Sequence, residues 1–156
     1  MINTGSMFSH IECTSCKKIF SKDDILKLCP VDDCGKVLFP KYDLNAEKSR
    51  KSIDDLKNRE PNMWRYKEFL PVNFEENIIS LGEGFTPILD AKNLAYDIGI
   101  KKLLIKDESL NPTSSFKARG LSAAVSKAKE FGIKKFQSQQ LETLVVHYQP
   151  IRLKEI

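Results

Sequence analysis

Residues 106–120 read KDESLNPTSSFKARG, and the organisation of the chain can be worked outward from them. The first half is a polar loop rich in turn-forming residues. The second half enters a helix expected over Phe116–Phe131, where Ala118, Leu121, Ala124, Val125 and Ala128 recur on one face. Ser114 or Ser115 suits its N-cap and Gly132 its end. Lys117 stands in the first turn, where the helix dipole favours anions over cations. That field disfavours the ammonium form and favours a neutral, nucleophilic amine, able to condense with an aldehyde. A surface lysine is ordinarily just solvated, so Lys117 alone leaves both readings open.

Upstream, Lys102–Lys106 (KLLIK) reads as a short strand and Ala91–Ile98 as a short helix capped by Gly99. Residues 78–136 thus have an α/β rhythm and form the opening of a layer expected to be parallel. Residues 44–77 form a charged, helix-prone linker anchored by Ile53, Leu56, Trp64, Tyr66 and Phe69. Pro61 breaks it and Pro71 ends it.

Residues 8–43 carry all four cysteines. Cys13 and Cys16 make a C-x2-C knuckle, and Cys29 and Cys34 a C-x4-C pair. Two such pairs can place four thiolates tetrahedrally around one zinc ion. Such a closed site is structural, and metal would stand in for a core this short segment can barely build. Four free, partly buried cysteines are the other reading. Lys17, Lys18, Lys22 and Lys27 could reach phosphates, but Asp23, Asp24, Asp32 and Asp33 offset them.

The whole chain has 156 residues, 41% hydrophobic and 29% charged, with a formal net charge of +4. This is a globular composition, too weakly basic for a dedicated nucleic-acid stripe. No apolar run approaches the roughly 20 residues of a membrane span. The N-terminus lacks the basic start and apolar stretch of a secretory signal, so a cytoplasmic, reducing setting is expected. Cysteines there are metal ligands more readily than disulfides.

Three segments carry a resemblance to a known family. Residues 80–89 (SLGEGFTPIL) look like the opening motif of the pyridoxal-phosphate enzymes related to tryptophan synthase β chain. Residues 106–120 look like that family's lysine loop, with Lys117 in the Schiff-base place. The cysteine ribbon running into Tyr42-Asp43-Leu44 resembles the N-terminal extension of many threonine synthases. Together they cover residues 11–136 in order. Ser114 departs from the family's usual glycine, and C-x4-C from the commoner C-x2-C.

The resemblance implies a cysteine ribbon (8–43), a helical linker (44–77) and the beginning of a pyridoxal-phosphate α/β domain (78–136). It implies a threonine synthase-like lyase converting O-phospho-L-homoserine and water to L-threonine and phosphate. Lys117 would be catalytic and hold the cofactor, with Ser115 and Asn111 as further cofactor-binding residues; Asn111, Thr113, Ser115 and Arg119 would help shape the site. Cys13, Cys16, Cys29 and Cys34 would hold zinc. The partner is a small phosphorylated amino acid, with no nucleic acid or membrane, and the intact enzyme would be a homo-oligomer. Alternatives are a threonine dehydratase, a cysteine or cysteate synthase of the same fold, or a non-enzymatic zinc-ribbon module.

Residues 137–156 fit none of this. The family continues with a strand and a glycine-rich loop containing Ala-Gly-Asn, whereas this tail has no glycine. Synonymous codons can be chosen so that the tail, read from the last base of the Phe136 codon, spells Ser-Ile-Pro-Thr-Ala-Gly-Asn-Ala-Gly-Gly. The expectation is a shifted reading frame after Phe136 and a chain that is unstable, binds cofactor weakly and does not turn over. A natural short paralogue, with Leu144–Tyr148 as its own strand, is the alternative.

Overall fold

The computed structural model describes residues 1–44, 55–136 and 151–152, the last two segment ends (135–136 and 151–152) by backbone alone. Ile53 and the Leu144–Tyr148 strand lie outside the described residues. The chain divides into two compact units. Met1–Arg59 and Tyr66–Glu76 form the first; Glu60–Arg65 and Asn77–Ile156 form the second.

The first unit is built on an antiparallel sheet of order β2-β1-β3, with β1 at Phe8–Cys13, β2 at Ile19–Ser21 and β3 at Leu38–Tyr42. The register shifts between Phe8 and His10 opposite β3. The Phe8 and Tyr42 rings meet there with centroids 5.6 Å apart. Residues before β1 run beside the 68–75 segment. Met7 N donates to Glu68 O (2.8 Å), Thr4 N to Asn73 O (2.9 Å) and Glu75 N to Ile2 O (2.9 Å). Thr4 Oγ1 and Ser6 Oγ donate to Val72 O and Leu70 O. Val72 is fully buried, and Arg59 clasps the Glu68 carboxylate with two bonds of 2.7 Å.

The cysteine module expected at 8–43 therefore extends to the N-terminal residues and to 66–76. Its buried apolar side chains among the described residues are few: Met7, Phe8, Cys13, Cys29 and Val72. The expected linker is cut, since Glu60–Arg65 groups with the second unit. The part of it described here takes 3-10 turns at Leu56–Asn58 and Met63–Phe69, the latter kinked at Tyr66.

The second unit pairs β4 (Ile88–Asp90) with β5 (Leu104–Lys106), and α1 (Lys92–Asp97) lies between them in the chain. The pair is antiparallel, with Leu89 opposite Ile105, and β4 is a strand that the residue pattern does not signal. Ala91 N donates to Leu103 O, so the end of β4 and the start of β5 meet at one place. The helix closes the end of a hairpin and does not cross a sheet. All three residues of each strand are exposed, among them Ile88, Leu89, Leu104 and Ile105. A two-stranded pair of this kind is marginal without a layer to pack on.

The helix α2 spans Lys117–Glu130, as expected to within a residue at each end. It buries Ala118, Val125, Ser126 and Ala128, whereas Leu121 and Ala124 are half-buried. Both expected glycine caps form. Gly99 and Gly132 take positive φ, and the following residues, Ile100 and Ile133, bond back to Ala95 O and Ala128 O. Beyond α2, β6 (Lys135–Phe136) pairs antiparallel with β7 (Ile151–Arg152). Among the described residues no helix is long and apolar enough to cross a membrane.

Candidate active site and metal centre

The Lys117 loop is held from three directions, and Glu108 joins them. Asp107 opens a 3-10 turn at Glu108–Leu110 by accepting from Ser109 N. One Glu108 oxygen, Oε1, accepts from Thr86 Oγ1 (2.5 Å) and Arg119 Nη2 (2.8 Å). The other, Oε2, accepts from Arg119 Nε (2.7 Å) and Asn111 Nδ2 (3.0 Å). Asn111 Oδ1 in turn accepts from Gly84 N (3.0 Å). The 84–86 segment, the loop at Asn111 and the first turns of α2 are thereby tied to one carboxylate.

The Arg119 guanidinium, with the Thr86 hydroxyl, holds the Glu108 carboxyl well below the usual carboxylate range. Its folded value thus lies below its unfolded one. The stability this contributes is fully present above about pH 4.3 and is lost as pH falls through the depressed folded value. Acid titration of the helical circular-dichroism signal is expected to show this loss, and in Glu108→Gln that component of the pH dependence is expected to vanish.

A second network anchors the 79–83 segment to α2. The Glu83 carboxylate, 1% exposed, accepts from Trp64 Nε1, Ser80 Oγ and Leu81 N. Trp64 Nε1 also donates to Ser122 Oγ, which donates to Ile79 O (2.7 Å). Ile79 N donates to Ser126 Oγ (2.8 Å). Gly84 has φ +100, and a Cβ there would stand 2.7 Å from Met63 N.

Lys117 is half-buried at the head of α2, and its Nζ has no hydrogen bond or ion pair to the described residues. The N-cap of α2 is Phe116, not the expected Ser114 or Ser115, and it makes no side-chain cap bond; Ser115 Oγ accepts from Lys117 N (3.3 Å). Asn111 is 4% exposed, and its amide is engaged with Gly84 and Glu108. It braces the loop here. Thr113 Oγ1 reaches Ser115 O at 3.4 Å. Ser114 sits at φ 52, the left-handed region glycine favours, so its departure from the family pattern carries backbone strain. Ser114→Gly is expected to stabilise the chain by about 1 kcal/mol, read as a higher midpoint in urea unfolding.

Glu108, Thr86, Gly84, Glu83 and Trp64 went unremarked as site residues in the sequence. Spacing signals only near neighbours on one element, and these five are joined across turns.

In the first unit the four cysteine sulfurs all lie within 4.8 Å of one another. Cys13 Sγ is 3.5 Å from Cys34 Sγ, and Cys16 Sγ 3.6 Å from Cys29 Sγ. A zinc–sulfur bond of about 2.3 Å gives a tetrahedral edge of about 3.8 Å. The donor set therefore fits zinc in size and kind. Ser15 N donates to Cys13 Sγ, as a knuckle requires. Burial pushes the Cys13 thiol up, but the backbone at Ser15 and Cys16 and the side chains of Cys16 and Cys34 outweigh it and hold it at about 6. Burial, reinforced by the neighbouring cysteines, pushes Cys29 up to about 12. Lys17 and Lys41 both face Glu12, at 3.9 and 3.3 Å.

Residues 79–145 match the family described as pyridoxal-phosphate dependent enzyme. Threonine synthase of Methanocaldococcus jannaschii is 42% identical over 121 residues, 78% of this chain and 29% of that protein. Threonine synthase of Methanosarcina acetivorans is 38% identical over 124 residues, 80% of this chain and 29% of that protein. Threonine synthase of Halalkalibacterium halodurans is 52% identical over 67 residues, 43% of this chain and 19% of that protein. No solved structure matches. The chain thus spans about 29% of the length of the first two relatives. Over residues 79–145 it is similar to the pyridoxal-phosphate dependent enzyme family, and over about four-fifths of its own length it is similar to threonine synthases.

Proposed function

We propose that these residues are the N-terminal part of a threonine synthase-like lyase that converts O-phospho-L-homoserine and water to L-threonine and phosphate. The observation that carries the reading is Lys117, half-buried at the head of α2 and without a partner among the described residues, in a braced loop that lies within the family match. Pyridoxal phosphate, when bound, supplies the electron sink for chemistry at the substrate's α and β carbons. Lys117 would hold it covalently and afterwards move protons through Nζ. Ser115 fixes the backbone at Lys117 N. Asn111 keeps the Gly84 segment against the loop.

The four cysteines would hold a structural zinc in a closed, fully protein-ligated site. The enzyme would be cytoplasmic, a homo-oligomer when complete, and specific for a small phosphorylated amino acid. The 156 residues assayed alone are expected to show no turnover. They contain no Ala-Gly-Asn loop after Phe136, consistent with a shifted frame in the tail.

The test begins with the nucleotides across Phe136 and Gln137, in independent genomic DNA and in messenger. One extra base is expected, restoring Ser-Ile-Pro-Thr-Ala-Gly-Asn. The restored protein is then assayed with O-phospho-L-homoserine, threonine and O-phosphoserine. Phosphate release with threonine formation supports the reading. Activity confined to threonine or phosphoserine replaces it with the dehydratase or cysteine-forming alternatives. Turnover by the 156-residue chain itself would overturn the expected inactivity.

A further inference from the structure

We propose that Glu108 is the positioning residue for Lys117: it sets where the lysine's helical turn stands relative to the Gly84–Thr86 segment. The inference rests on the reading of Lys117 as the cofactor lysine. Its chemistry is on the carboxylate. Four bonds converge on two oxygens, and every partner is a donor: a hydroxyl, an amide NH2 and two guanidinium nitrogens. Only an acceptor-only group satisfies them all.

The partners come from three separate places in the chain. Thr86 lies 22 residues before Glu108, Arg119 lies 11 after it, and Asn111 carries the connection on to Gly84 N. Arg119 is two residues beyond Lys117 on the same helix. Lys106, just before the turn, adds a bond from Nζ to Thr86 O (2.6 Å). The rest of α2 is held elsewhere, through Ser122 and Ser126 to Ile79. Losing Glu108 should therefore release the start of the helix and leave its middle in place.

Glu108→Gln is the informative change. It keeps the shape but turns an NH2 toward at least one donor, leaving two N–H groups facing each other. Glu108→Ala removes the acceptor entirely. Both are made in the 156-residue chain beside the unaltered protein. Each is treated with pyridoxal phosphate, reduced with borohydride and mapped by peptide mass spectrometry. Amide hydrogen exchange is followed in parallel over 84–86, 115–120 and 122–130.

Unaltered chain is expected to be labelled at Lys117 ahead of Lys129. In Glu108→Gln the Lys117-to-Lys129 ratio is expected to fall about tenfold, a loss of about 1.4 kcal/mol in differential reactivity. Exchange is expected to quicken at 84–86 and 115–120 while 122–130 stays protected. A wild-type ratio in Glu108→Gln, or exchange that rises equally in all three segments, overturns the positioning role. If the unaltered chain shows no preference for Lys117, the cofactor-lysine reading fails by that result. The positioning of the turn is then decided by the exchange pattern alone.

Discussion

Cys16→Ser is expected to abolish stoichiometric zinc binding and to unfold the first unit. Cys16 is the exposed member of the cluster, so its thiol contributes little packing of its own. A loss of structure on its removal would come from the metal. Cys13→Ser removes the same ligand count but also a fully buried side chain. It is expected to do at least as much damage. With Met7, Phe8 and Val72 as the described buried apolar residues outside the cysteines, the first unit has little else to hold β1, β2 and β3 together. A structural metal commonly supplies what so small a core cannot. The check is metal content of purified protein by plasma emission, with circular dichroism before and after a chelator. Cys16→Ser protein that keeps one zinc per chain and an unchanged spectrum would refute the four-cysteine site. Metal affinity should also weaken in acid, because the thiolates must be formed before they can bind.

Gly84→Ala is expected to have the next largest effect, roughly 3–5 kcal/mol against the second unit. Two costs combine. The new Cβ would lie 2.7 Å from Met63 N and 3.0 Å from Met63 Cα, both backbone atoms that cannot swing aside. The φ of +100 is strained for any residue with a side chain. Met63 N is itself fixed by a bond to Glu83 O (2.8 Å), so relief by moving it would break that bond. Equilibrium denaturation in urea gives the measurement. Gly82→Ala is the comparison, since nothing lies within 4 Å of a Cβ there and only the backbone cost remains. Equal destabilisation by the two changes would show that the close approach to Met63 carries no weight.

The side chains of β4 and β5 are exposed, and a two-stranded pair is marginal without a layer to pack on. Leu89 and Ile105 stand side by side across the pair, and each is more than two-fifths exposed. The relatives that align here are much longer than this chain.

What could be read from the residues in order was local. Helical spacing located α2, glycine located both helix caps, and the cysteine pairs gathered the four sulfurs, because each signal lies within a few residues of what it controls. Lys117 stood out for the same reason, through its place in the first turn and the motif around it. The direction of β5 beside β4 was not legible in that way. β4 is only three exposed residues long, too short to show an alternating pattern.

Only the tertiary structure joined Glu108 to Thr86, Asn111 and Arg119, set Trp64 on Glu83, and pressed Gly84 against Met63. A glutamate in a polar turn has the same sequence signature whether it is solvated or the centre of four hydrogen bonds. Its donors come from positions that no period connects, and they meet because the loop, the 84–86 segment and the helix fold onto one another. The motif around Lys117 is thus written in local residues, whereas the hydrogen bonds that brace its turn are a property of the assembled unit.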